Sequence, residues 1–191
     1  MSFSRFSERP SGLRIIAGSR KGARIFAPKG LEVRPTGDRV REAMFNLIGP
    51  VDGADVLDLF AGTGALGLEA LSRGAANAVF VDSDRVAAET VIRNLEKLGL
   101  EGARVYREDV GRRLSTDAAS GRRYDLVLVD PPYRMLSKFL PVLATHLPSV
   151  LAPDGLVVVE SEAKEEPDLP LPLRTSRRYG STRVTLFEGT K

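Results

Sequence analysis

The chain has 191 residues, 42% of them hydrophobic, which is enough to bury a core and is the size of one domain. It holds no cysteine and one histidine, excluding disulfides, thiolate metal sites, cysteine nucleophiles and multi-histidine metal centres. The net charge of +3 is unevenly placed: residues 1–41 carry 10 Lys/Arg against 3 Asp/Glu, leaving 18 against 22 in the rest.

Residues 1–12, MSFSRFSERPSG, lack the apolar run of a signal peptide and are expected to form a disordered tail. No segment approaches the roughly 18 apolar residues of a membrane span, so a cytoplasmic protein that avoids membranes is expected. Leu13 to Ala17 and Ala23 to Ala27 are short apolar runs around Gly18-Ser19-Arg20-Lys21-Gly22, the pattern of a β-hairpin with a basic turn. Basic residues interleaved with strand-like segments favour a folded surface for a polyanion. Residues 13–36 are therefore read as a basic appendage and 37–191 as the main domain. Asp38 begins a helix to about Ile48, because Val40, Ala43, Met44, Leu47 and Ile48 recur at helical spacing.

From Ala54 onward strand-like and helical segments alternate. Strands are expected at 54–59, 77–82, 103–107, 124–130, 155–160, 173–179 and 182–188, with helices at 65–74, 84–98, 109–117 and 136–151. Such βαβ alternation requires a mostly parallel sheet of seven strands with helices on both faces, an α/β fold. Pro167 to Pro172 makes an extended connection into a final hairpin.

Gly62-x-Gly64-x-x-Gly67 follows the first strand and opens a helix, and Asp82 ends the next strand. Glycines let the backbone turn tightly and bring its N–H groups against an anionic group at a helix N-terminus. The spacing alone also fits NAD. Asp58, four residues before Gly62, would repel a pyrophosphate and attract a cation. S-adenosylmethionine, with a sulfonium and an ammonium beside its carboxylate, fits this pair of features better.

The strand at 124–130 delivers Asp130 to its carboxyl end, followed by Pro131, Pro132 and Tyr133. Consecutive prolines fix φ and remove two donors, leaving a stiff loop of carbonyl acceptors. An exocyclic amine is a poor nucleophile because its lone pair is delocalised into the base. Asp130 and the carbonyl of Pro131 or Pro132 could accept its two hydrogens and hold the nitrogen in line with a methyl donor, with Tyr133 stacking on the base.

Asp58-x-Phe60-Ala61-Gly62-Thr63-Gly64 resembles the first motif of the Rossmann-like class I methyltransferases, and Asp130-Pro131-Pro132-Tyr133 resembles the amino-methylation motif for adenine N6, guanine N2 or cytosine N4. The first resemblance implies cofactor contacts from Asp58, Phe60, Ala61, Gly62, Thr63, Gly64, Asp82, Ser83, Asp109 and Val110, with Asp82 on the ribose and Asp109 near the adenine. Arg34-Pro35-Thr36-Gly37-Asp38-Arg39-Val40-Arg41-Glu42-Ala43-Met44-Phe45-Asn46, with the hairpin before it, resembles the RsmD family over residues 13–188. That family methylates guanine N2 in bacterial 16S ribosomal RNA. The resemblance implies 16S rRNA within an assembling 30S particle as the partner; a monomer is the simplest expectation, and the chemistry of the tetrad requires no metal. The resemblance also implies RNA contacts from Arg20, Lys21, Arg24, Arg34, Thr36, Arg39 and Arg41. A DNA or RNA adenine-N6 methyltransferase remains open, as does an NAD-dependent oxidoreductase on the glycine spacing alone. His146 is assigned no role, and Glu160, read as a solvated strand end, is left out of the site.

Overall fold

A computed structural model describes residues 12–28, 37–132 and 135–190. Residues 1–11 of the expected 1–12 tail and the segment 29–36 lie outside the described residues. Helix α1 is Gly37–Ile48, β1 Asp55–Leu59, α2 Ala65–Ser72, β2 Asn77–Asp82, α3 Arg85–Leu98 and β3 Ala103–Arg107. Then come α4 Val110–Ala119, β4 Tyr124–Val129, α5 Leu136–Val150, β5 Leu151–Glu162, β6 Leu173–Tyr179 and β7 Thr182–Glu188.

The seven strands form one sheet in the order β3-β2-β1-β4-β5-β7-β6. Strands β1 to β5 are parallel, while β7 runs antiparallel to both β5 and β6. The period of two along each central strand divides the core between the two faces. Val56, Phe80, Leu128, Val158 and Val184 meet α1, α2 and α3 on one face. Leu57, Val81, Val127, Val159 and Phe187 meet α4 and α5 on the other. β1 and β4 are neighbours although β2 and β3 separate them in sequence, so the strand order reverses between them. Ligands collect at such a switch point, outside the carboxyl ends of the strands. No helix among the described residues is long and apolar enough to cross a membrane.

Two expectations differ from what is observed. Strand β5 starts at Leu151 rather than 155, because Tyr124 pairs with Leu151 and Leu126 with Leu156. The bulge between holds Pro153, which cannot donate to a ladder, and Asp154 at a φ of 61°.

Among the described residues the arms of the N-terminal hairpin share an antiparallel bridge, Arg14 to Arg24, around a 3-10 turn at Gly18–Arg20, instead of forming two five-residue strands. Other backbone groups of the hairpin are taken by side chains of the helices beneath. Ile16 N and Ala17 N donate to the Glu69 carboxylate at 2.7 and 3.0 Å, and Phe26 N donates to Asn94 Oδ1 at 2.7 Å. A Cβ on Gly18 would lie 1.8 Å from Ser72 O, so only glycine allows the turn to sit this close to the end of α2. Ile15 and Ile25 are buried in the core shared with α1 and α2.

Candidate functional site

A cavity of about 750 Å³ opens at the carboxyl ends of β1, β2, β4 and β5, within the range of small-molecule sites. Its floor is the loop after β1. Phe60 takes a φ of 63°, a left-handed conformation rare outside glycine, followed by Gly62 at 56° and Gly64 at 80°. Long-range bonds hold this loop. Ala61 N donates to Val81 O at 3.0 Å, and Gly62 N donates to Asp82 Oδ2 at 2.9 Å. The second oxygen of Asp82 accepts from Asp84 N at 2.9 Å, and Asp84 itself caps α3 by accepting from Ala87 N. The cap role thus belongs to Asp84, and Asp82 ties the glycine loop to the next strand end.

Asp58 is 1% exposed and faces the same cavity from below. Its Oδ2 accepts from Gly67 N at 2.9 Å, in the first turn of α2. A Cβ at Gly67 would stand 2.3 Å from Phe80 Cε1 and 3.0 Å from Asp58 Oδ2, so the third glycine of the motif lets α2 settle onto β1 and β2. Burial pushes the Asp58 carboxyl well above its usual range. The Gly67 bond opposes that shift, and the charges of Asp130 and Asp82 add to it. Three acids from three strand ends therefore converge on one cavity, an environment that favours a cationic ligand.

Asp130, Pro131 and Pro132 line the same cavity. Pro132 O accepts from Met135 N at 3.1 Å, while Pro131 is buried against the wall. Phe60, Ala61, Gly62, Thr63, Ser83, Asp109 and Val110 reach the lining as well. Asp109 also caps α4, accepting from Arg112 N at 3.1 Å. Gly64 stands behind the wall, where its Cα side meets Val91 and Leu68. Tyr133, Arg34 and Thr36 lie outside the described residues.

Among the expected RNA contacts, Lys21, Arg24 and Arg39 are exposed. Arg20 is half-buried, with its guanidinium donating to Leu98 O and to Gly99 O, so it fastens the hairpin to the end of α3. Arg41 is not at the surface: it is 5% exposed, donates to Arg14 O and Asp38 Oδ1, and lines the cavity. Its position on the buried stripe of α1, between Val40 and Met44, accounts for this.

Glu160, left out of the site on sequence, lines the cavity. Its place at the end of a parallel strand was the available signal. Phe139 of α5 completes the wall, its ring centroid 4.6 Å from that of Phe60 at an angle of 59°. No sequence pattern marks Phe139, because its role depends on how α5 returns over the sheet.

The residues fit S-adenosylmethionine. The Asp58 cluster suits its cationic groups, and Asp82, Ser83, Asp109 and Val110 line the same cavity. The family described as Conserved hypothetical protein 95 matches residues 13–188. The ribosomal RNA small subunit methyltransferase D of Escherichia coli (strain K12) is 41% identical over 155 residues, 80% of this chain and 76% of that one. A hypothetical protein of Thermus thermophilus superposes with a TM-score of 0.79 at 34% identity, covering 92% of this chain and 99% of that one. The 16S rRNA N2 G1207 methyltransferase RsmC of Thermus thermophilus, solved with AdoMet and guanosine, shares the fold. Its TM-score is 0.70 at 24% identity, over 97% of this chain and 51% of that one.

Proposed function

The chain belongs to the Conserved hypothetical protein 95 family of RsmD-like methyltransferases, and from that premise we propose that it moves a methyl group from S-adenosylmethionine to the N2 amine of a guanine in 16S ribosomal RNA. The observation that carries this reading is the sharing of one cavity by Asp130-Pro131-Pro132 and the Asp58, Gly62 and Asp82 cluster. A pyrophosphate in the same place would face those three carboxylates, which argues against NAD.

When bound, S-adenosylmethionine supplies an electrophilic methyl group on a sulfonium. The work of the protein is to bind, orient and exclude water. Asp58 and Asp82 would favour the cationic groups of the cofactor; Asp82 holds the glycine loop through Gly62 N and Asp58 ties it to α2 through Gly67 N. The carboxylate of Asp130 accepts one hydrogen of the guanine amine. Pro132 O is already engaged by Met135 N, so the carbonyl of Pro131 is assigned to the second. Two fixed acceptors hold the nitrogen with its lone pair towards the methyl group, an orienting contribution that needs no covalent intermediate. Phe60 and Phe139 give the cavity an apolar wall against which a flipped base can rest.

The partner proposed is the small-subunit RNA within an assembling 30S particle, met by a monomer of this chain. The test is transfer of labelled methyl groups to unmodified 30S particles and to 16S RNA, followed by digestion to nucleosides. N2-methylguanosine is expected; N6-methyladenosine would overturn the choice of base, and no incorporation at any salt would overturn the activity.

A further inference from the structure

Residues 173–183 carry four arginines and no acid, although the chain beyond residue 41 is acidic on balance. This second basic segment forms the β6–β7 hairpin at the free edge of the sheet. β6 is antiparallel to β7, and β7 to β5, so β6 runs with β5 and ends on the same rim as β4 and β5. The register aligns Glu160 with Val184 and Val184 with Arg177. Paired residues project to the same side, so Arg177 shares the α1 face of the sheet with Glu160, which lines the cavity. Two strand spacings separate their backbones, about 10 Å.

The four arginines are unequally committed. Arg183 donates to Ala163 O and Ser176 Oγ and pairs with Glu166 at 2.9 Å. Arg174, at the other end of β6, lies 3.6 Å from Glu188. Arg178 is exposed, and its Nε donates to Gly180 O, holding the guanidinium at the hairpin tip. Arg177 is exposed and has no hydrogen bond or ion pair with any described residue. Arg178, the next residue, projects to the opposite face, so two solvent-facing guanidinium groups flank the end of β6 at one side of the rim, one on each face of the sheet. The N-terminal hairpin, packed on α2 and α3, stands at the other.

We propose that Arg177 and Arg178 bind the phosphate backbone of the RNA flanking the target base, a second anchor across the mouth from the N-terminal hairpin. The inference rests on the RNA reading of the cavity given above. A base drawn into the cavity leaves its neighbouring phosphates on the rim, and guanidinium forks match phosphate oxygens in pairs. Contact on both sides resists rotation of the strand about the flipped base, which one hairpin cannot do. Phosphate contacts carry no sequence information, so these arginines set affinity and register rather than the choice of base.

The experiment compares the wild type with an Arg177→Ala, Arg178→Ala double variant, an Arg177→Glu variant and an Arg174→Ala control, using unmodified 30S particles. For the double variant, KM for particles is expected to rise roughly tenfold, and the slope of log affinity against log salt to become shallower by about 1 to 2. Its kcat should stay within about twofold and its S-adenosylmethionine affinity should not change. Arg177→Glu should raise KM further, and Arg174→Ala should match the wild type. An active wild type with unchanged KM and salt slope in the double variant overturns this anchor alone, as does an equal loss in Arg174→Ala. A wild type that transfers no methyl group to RNA overturns both the anchor and the proposed function.

Discussion

Asp58 and Asp130 are both acids at strand ends facing one cavity, yet their surroundings differ. Asp130 is partly exposed and follows a buried strand, so its replacement should leave the fold intact. Asp130→Ala is expected to lower kcat by roughly 10²–10³-fold, the scale of losing one oriented electrostatic partner, with cofactor affinity retained. Equal turnover in the variant would remove Asp130 from the mechanism. Asp58 is fully enclosed, and burial raises its pKa. The folded state then holds a proton that the unfolded chain has already released. Stability linked to this group is full below the ordinary carboxylate value of about 3.9 and is lost as pH rises towards the folded value, by up to about 1.4 kcal/mol per pH unit. Asp58→Asn keeps an acceptor for Gly67 N and removes that loss, so its thermal midpoint at neutral pH should exceed the wild type by a few degrees. Cofactor affinity should move the opposite way. As pH rises above the ordinary carboxylate range the wild type should bind S-adenosylmethionine more tightly, while Asp58→Asn binds weakly throughout; parallel profiles would sink the assignment. The sequence showed Asp58 by its spacing from the glycines and Asp130 by its place before the two prolines, but the burial of Asp58 and its bond to Gly67 depend on α2 packing onto β2.

The secondary-structure elements were legible wherever periodicity was strong, and the least legible was the N-terminal hairpin. Its two apolar runs suggested strands, but several of its backbone bonds go to Glu69, Ser72 and Asn94, more than 50 residues away. No local pattern announces such partners. Glu69 is wholly buried, accepts from two hairpin amides and pairs with Arg73 at 2.7 Å. Glu69→Ala would strand those amides and leave Arg73 without its carboxylate, while the interior Arg41 would keep only that of Asp38. A loss of about 3–5 kcal/mol in chemical denaturation is expected, and a loss under about 1 kcal/mol would contradict the network. Asn94 links the same hairpin to the cofactor loop. It bonds Phe26 N and Phe26 O, and its Nδ2 donates to Thr63 O at 2.9 Å. Asn94→Ala should therefore weaken cofactor binding severalfold although Asn94 does not line the cavity, and unchanged affinity would separate hairpin from loop.

At the scale of the whole molecule, βαβ alternation foretold a mostly parallel sheet with two helical layers, because buried parallel strands need cover on both faces. It did not reveal that β7 would insert between β5 and β6, a pairing decided by contacts far apart in sequence. That insertion brings Arg177 and Arg178 to the rim, so the basic surface the sequence placed in residues 1–41 has a counterpart at the far edge. The cavity lies between these edges and touches the ends of β1, β2, β4 and β5 together with α1, α4 and α5. A ligand there contacts elements of both helical layers, and binding confined to the folded state stabilises that state by mass action. At a free concentration a hundred times Kd the gain is about 2.7 kcal/mol, which for a chain of this size raises the thermal midpoint by roughly 5–10 °C. S-adenosylmethionine should produce that shift, and NAD at the same concentration should produce none. Asp58→Asn, starting from a higher midpoint, should show a smaller shift, because its loop persists while the buried charge that would favour a cationic ligand is gone. A wild-type midpoint that moves with NAD and stays still with S-adenosylmethionine would overturn the cofactor assignment, and with it the chemistry assigned to Asp130.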